Sequence, residues 1–178
     1  MAKLISSLGV AAAALLTITA GVMAQQKLPV DVNRISSSGV GDKIGTIEIS
    51  ESKSGVSLRV AVKGLPPGPR GFHVHEKGDC GPAMKDGQQQ AGMAAGEHYD
   101  PEHNKSHKGP KGKGHKGDLP TLNSKQGAID QTVTSTRLKL ADIRGRSLMI
   151  HEGGDNYSDQ PDNGGGKGRI ACATIPKQ

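Results

Sequence analysis

The chain carries seven histidines, none before residue 73, and five of them fall between 73 and 107. Their spacing carries the chemistry. In Gly71-Phe72-His73-Val74-His75, strand alternation puts Phe72 and Val74 on one face and His73 and His75 on the other. Two imidazoles side by side on a strand can chelate one metal while the apolar pair packs inward. Residues 147–151 repeat the device, with Leu148 and Ile150 inward and His151 outward. Surface histidines on a wet strand face are the competing reading. A second set, His98, His107, His115 and Asp118, sits on one glycine-rich stretch, where Gly109, Gly112, Gly114 and Gly117 let the backbone curl. Three imidazoles and a carboxylate suit a tetrahedral zinc ion; a solvated basic loop with incidental histidines is the bland alternative. Together the two sets exceed what one zinc needs. An open, imidazole-rich set without thiolate suits Cu²⁺, and two adjacent metals become possible if one deprotonated imidazole bridges them.

Strands must position these residues. Runs at 28–32, 44–49 and 56–62 place apolar residues at every second position, and Ser, Gly and Lys clusters punctuate them at about ten-residue intervals, as in a sandwich or barrel. Strand-like runs resume at 128–140, 147–151 and 169–175. Between them, residues 76–125 and 152–168 read as two long loops, and a loop that long inside a compact domain is usually functional or disordered. The expected architecture is therefore a β scaffold carrying two large loops.

Composition asks what holds such a scaffold together. The chain has 178 residues, 26 Gly, 10 Pro, no Trp, one Phe and two Tyr. Residues 1–24 hold 17 of the hydrophobic residues and leave the remainder about 27% hydrophobic, so the core is small and staples are expected. That first segment reads as a cleaved secretory signal: Lys3 gives a basic n-region, residues 8–22 an apolar stretch too short and broken to span a bilayer, and Ala24 a small residue at the cleavage site. Residues 25–178 would then form the single domain, with no membrane anchor. Losing Lys3 from 23 basic against 17 acidic residues leaves a net charge of +5. In an oxidising compartment Cys80 and Cys172 would form a disulfide by default. Three aromatics are too few for a nucleic-acid stacking platform, and basic residues are interspersed with acidic ones, so no nucleic-acid partner is expected.

The motifs GFHVHEKGDC (71–80), GEHYDPEHNKSHKGPKGKGHKGDLP (96–120), LMIHEGGDNYSDQP (148–161) and GRIAC (168–172), in that order and spacing, resemble the copper–zinc superoxide dismutases of the bacterial periplasmic type over nearly all of residues 25–178. The resemblance implies a flattened eight-stranded Greek-key β-barrel, a sandwich with immunoglobulin-like character. It also implies one copper per subunit on His73, His75, His98 and His151, and one zinc on His98, His107, His115 and Asp118, with His98 bridging the two. Asp155 matches the aspartate that hydrogen-bonds one copper ligand and one zinc ligand, Arg169 the arginine beside copper, and Cys80–Cys172 the intrasubunit disulfide. The implied activity is dismutation of superoxide to dioxygen and hydrogen peroxide in the periplasm. Arg169 would draw in the anion and His98 would carry a proton between half-reactions. Members of this type include homodimers and monomers.

The sequence departs from the family pattern in places. Glu97 stands where periplasmic members commonly have glycine, directly before His98. Its carboxylate either points outward or weakens anion attraction near the site. The stretch from Pro161 to Arg169 is one residue shorter than usual and includes Lys167. His103 matches no ligand position and is expected at the surface. Lys105, Lys108, Lys111, Lys113 and Lys116 make the second set's loop basic, a solvated face or a means of steering anions. The alternative from another class is a non-enzymatic periplasmic protein that binds or buffers copper and zinc on the same scaffold; such a protein needs neither Arg169 nor the complete bridging set.

Overall fold

A computed structural model describes residues 27–161 and 163–178; the proposed signal at 1–24 lies outside them. The alternating runs become three long strands, β1 (Lys27–Ser36), β2 (Gly39–Ser52) and β3 (Gly55–Lys63), joined by tight turns. In β3 the period-two pattern is complete: Val56, Leu58, Val60 and Val62 are buried while the intervening residues are not. After β4 (Gly68–Arg70) and β5 (Phe72–His75) comes a hairpin of β6 (Ala83–Lys85) and β7 (Gln88–Gln90). The remaining strands are β8 (Leu122–Ser124), β9 (Ala128–Ser135), β10 (Ser147–His151) and β11 (Arg169–Thr174).

Seven strands form one antiparallel sheet in the order β5-β10-β11-β1-β2-β3-β9. Its edges are β5 and β9. β4 leads into β5 and β8 leads into β9, and β4 pairs with β8, so the two edges of the curled sheet are drawn toward each other. The all-β antiparallel expectation holds. Among the described residues the sheet counts seven strands, with the short β4–β8 pair at its seam.

One face of the sheet packs the main core, which includes Ile47, Ile49, Leu58, Phe72, Val74, Leu148 and Ile150. A smaller cluster of Ile35, Cys80, Ala95, Met149 and Cys172 lies apart from it, and the Cys80–Cys172 disulfide fastens the β5–β6 connection to β11. Alternation alone would leave the second face of β10 wet. Instead Ser147, Met149 and His151 are as buried as Leu148 and Ile150, because the loops fold over them.

The run expected at 128–140 ends as a strand at Ser135. It gives way to a single helical turn, α1 (Leu140–Ile143). The Lys139 N–H donates to Asp142 Oδ2 at 2.8 Å and the Asp142 N–H donates to Lys139 O at 3.0 Å, a local bonding pattern that competes with strand pairing. The loop over 76–125 is likewise less bare than expected, since it contains β6, β7, β8 and a 3₁₀ turn at Met93–Ala95.

Candidate metal centre

His73 and His75 come from β5 and His151 from β10; the stretch between β7 and β8 supplies His98, His107, His115 and Asp118. That stretch reaches the histidine face by pairing its backbone with β5. Val74 N–H donates to Gly117 O (2.9 Å), Tyr99 N–H to Val74 O (2.8 Å), Gly117 N–H to Tyr99 O (2.8 Å) and Glu76 N–H to Glu97 O (3.1 Å). Gly117 makes the approach possible: a Cβ there would run into Val74 O and Tyr99 N. The face expected to be outward is thereby sealed. His73, His75, His98 and His151 are all below 10% exposed, which removes the surface-histidine alternative.

The imidazoles of His73, His75, His98 and His151 bring one nitrogen each within 4.8 Å of one another. Their outer contacts set which nitrogen is free. His75 Nδ1 lies 2.9 Å from Gly96 O and His151 Nδ1 a long 3.4 Å from Lys167 O; a carbonyl only accepts, so both protons sit on Nδ1. The two Nε2 atoms then face each other at 3.4 Å with lone pairs on both, an arrangement that repels unless a cation is shared. His73 presents Nε2 to Asp155 Oδ2 at 2.9 Å and leaves Nδ1 buried without a partner. Burial holds His73 and His98 down to about 3, and His75 and His151 well below the usual histidine range, with neighbouring imidazoles contributing. The rings are neutral, as metal ligation requires.

The second group is His98, His107, His115 and Asp118, again with donor atoms within 4.8 Å. His98 Nδ1 is 3.1 Å and His115 Nδ1 3.6 Å from Asp118 Oδ1. Asp118 Oδ2 and His115 Nδ1 are buried without hydrogen-bond partners. Burial pushes the Asp118 carboxyl up, but His115 and His98 outweigh it and hold it below the usual carboxylate range. Partial burial pushes His115 down and is outweighed by Asp118, with Asp100 and Asp159 adding to the rise. His98 belongs to both groups: with Nδ1 turned to Asp118, its other ring nitrogen is left for the first. Orphaned buried donors and facing lone pairs are what a two-metal, nitrogen-rich site presents before its ions are counted.

Asp155 contacts the first group through His73, and its second oxygen, Oδ1, is buried without a hydrogen-bond partner. Burial raises its carboxyl to about 7. Since burial also lowers His73, the pair is a hydrogen bond between a neutral ring and a reluctant carboxylate and not an ion pair. On the other side, His107 is held by a residue that spacing did not single out. Its backbone N–H donates to Asp159 Oδ1 at 2.6 Å, and its Nδ1 lies 3.2 Å from the same oxygen. Gly164, at φ +67°, packs where a Cβ would strike the His107 ring. Arg137 braces the loop by donating to His115 O (3.0 Å) and Gly114 O (2.7 Å). No local pattern marks Asp159 or Arg137, because both act across long stretches of chain. His103 is exposed.

Arg169 opens β11, opposite His151 across a register shift. Its side chain is 8% exposed; Nη1 donates to Gly92 O at 2.7 Å and Nη2 lies 3.8 Å from Glu97 Oε2. It shares with His98, His151 and Lys167 an open cleft of about 1070 Å³.

Residues 43–175 match the family model described as copper/zinc superoxide dismutase. "Superoxide dismutase [Cu-Zn] 2" of Salmonella typhimurium is 48% identical over 149 residues, covering 82% of this chain and 86% of its own length. The Cu/Zn superoxide dismutase structure from Brucella abortus superposes with a TM-score of 0.81 at 46% identity, covering 84% of this chain and 99% of that one. A monomeric copper, zinc superoxide dismutase from Salmonella enterica gives 0.75 at 47% identity, with the same coverage.

Proposed function

The chain belongs to the copper/zinc superoxide dismutase family, and from that premise we propose that copper is held by His73, His75, His98 and His151 and zinc by His98, His107, His115 and Asp118. The observation that carries the assignment is the sharing of His98 between two donor groups. The protein is an oxidoreductase that converts superoxide to dioxygen and hydrogen peroxide. When bound, copper supplies the one-electron exchange that oxidises one superoxide and reduces the next, and zinc a redox-silent positive charge.

The side chains do the rest. Gly96 O, Lys167 O and Asp155 fix the tautomers of His75, His151 and His73, so that the free nitrogens are aimed before any ion arrives. Arg169, with Nη1 tied to Gly92 O, keeps a positive charge at the cleft to attract and hold a small anion. His98 carries the proton: the ring nitrogen turned away from Asp118 takes one up with the first superoxide and gives it to the second. Two protons are needed to make hydrogen peroxide, and water supplies the other.

Export to the periplasm is the proposed location. The basic and apolar character of residues 1–24 supports it, as does a disulfide suited to an oxidising compartment. Among the described residues no helix is long and apolar enough to cross a membrane.

The test is to load residues 25–178 with copper and zinc and measure superoxide consumption by the parent and by His151→Ala. Activity in the parent is expected, and in the variant a loss larger than the roughly 10–100-fold typical of removing a group that only orients a metal ligand. A parent that binds both metals and consumes no superoxide would support the buffering alternative.

A further inference from the structure

Glu97 occupies a position that the dismutase reading does not use. Its backbone is pinned on both sides by Glu76: Glu97 N–H donates to Glu76 Oε2 at 3.2 Å, and Glu97 O accepts from Glu76 N–H at 3.1 Å. Its side chain is 71% exposed and lines the cleft, with Oε2 3.8 Å from Arg169 Nη2. Arg169 spends Nη1 on Gly92 O, so Nη2 is the corner of the guanidinium that meets both Glu97 and the cleft. Any anion that reaches Arg169 must therefore approach a fixed negative charge as well.

Coulomb repulsion scales with the charge on the ligand. We propose that Glu97 is a specificity-determining residue whose carboxylate, paired with Arg169 at the mouth of the cleft, offsets part of the arginine's attraction and so costs multivalent anions such as sulfate or phosphate more affinity than monoanions such as superoxide. The inference rests on Arg169 as the anion-guiding group. A monoanion loses some attraction to the Glu97 charge; a dianion loses twice the free energy, so its loss in affinity is the square of the monoanion's factor.

The experiment compares copper- and zinc-loaded parent, Glu97→Gln, Glu97→Asp and Arg169→Gln. Azide affinity is read from visible absorption, and sulfate affinity from its competition with azide. Glu97→Gln should tighten azide by about 3-fold and sulfate by about 10-fold at low salt. Both factors should collapse toward one in about 1 M of an inert monovalent salt, where the screening length is ~3 Å. Glu97→Asp keeps the charge and should keep the parent's ratio of azide to sulfate affinity. A Glu97→Gln protein that shifts both anions by the same factor, or neither, overturns the filter. Arg169→Gln separates the two readings. If it leaves azide affinity unchanged, the guiding role of Arg169 falls and the filter with it; if it weakens azide while Glu97→Gln leaves the ratio alone, only the filter falls.

Discussion

Asp155 Oδ2 sits 2.9 Å from His73 Nε2, with both side chains at most 2% exposed and the second Asp155 oxygen buried without a partner. A buried carboxylate with an unsatisfied oxygen is costly to the metal-free protein. What it secures is the tautomer of His73 that leaves Nδ1 free. Asp155→Ala should therefore move two quantities in opposite directions. Copper affinity, measured by competition with a chelator, should fall by roughly 10–100-fold. The urea midpoint of the metal-free protein should stay level or rise. Loss of metal-free stability comparable to the loss of metal binding would make Asp155 a structural residue instead.

Gly117 lets the long stretch between β7 and β8 lie against β5, and the residue after it is Asp118. Gly117→Ala drives a methyl into Val74 O and Tyr99 N, both backbone atoms whose hydrogen bonds hold the loop in place. Overpacking against backbone costs about 1–3 kcal/mol, measurable as a lowered urea midpoint. Because Asp118 and the chain at Tyr99 move together, affinity for zinc should fall with it. Gly41→Ala is the control, since its backbone is not left-handed and a Cβ there comes no nearer than 3.4 Å, to Arg34 O.

How much of this was legible before the fold was known divides along a physical line. Alternation in β3 and the paired histidines of β5 are local, and period two alone placed Phe72 and Val74 against the core. The chemistry of His98, His107, His115 and Asp118 was legible from residue type on a glycine-rich stretch. What alternation could not show is that the histidine face is sealed, because the sealing is done by backbone bonds between β5 and residues 97–117. The Asp159–His107 contact spans 52 positions and the Arg137–His115 contact 22, and nothing in the neighbouring sequence of either partner announces them. The strand that stopped at Ser135 was overread for the opposite reason: a purely local device, the Lys139–Asp142 bonds, overrode a favourable pattern.

The disulfide closes a separation of 92 residues and joins the β5–β6 connection to β11 within the minor core. Replacing both cysteines, Cys80→Ser with Cys172→Ser, should cost about 2–5 kcal/mol in metal-free protein, with a chain-entropy estimate near the top of that range. Equilibrium urea unfolding checks it. The same segment leads to Gly92, whose carbonyl anchors Arg169, so the variant, loaded with metals, should also bind azide less tightly than the parent. A stability loss with unchanged azide affinity would mean that the 3₁₀ turn at Met93–Ala95 holds Gly92 without help from the disulfide.

Asp142 links the loop to the barrel: its carboxylate accepts from Lys139 N–H and from Lys116 Nζ at 3.0 Å. Partial burial raises its pKa, but those two bonds and the lysine charges outweigh it, and the folded value lies below the ordinary one. A folded pKa below the unfolded value means that the contribution is complete above the unfolded pKa, about 3.9, and is lost as pH falls through the folded pKa. Asp142→Asn removes it at every pH. The difference in urea midpoint between parent and variant, taken on metal-free protein, should be constant from about pH 7 to 5 and should shrink below about pH 4. Titrations elsewhere in the molecule are common to both proteins and cancel. Added salt should reduce the part of the difference due to Lys116 and leave the part due to the Lys139 N–H, because screening acts on the ion pair and not on the backbone bond. A difference that grows toward acid pH would reverse the sign and place the stabilising form of Asp142 on the protonated side.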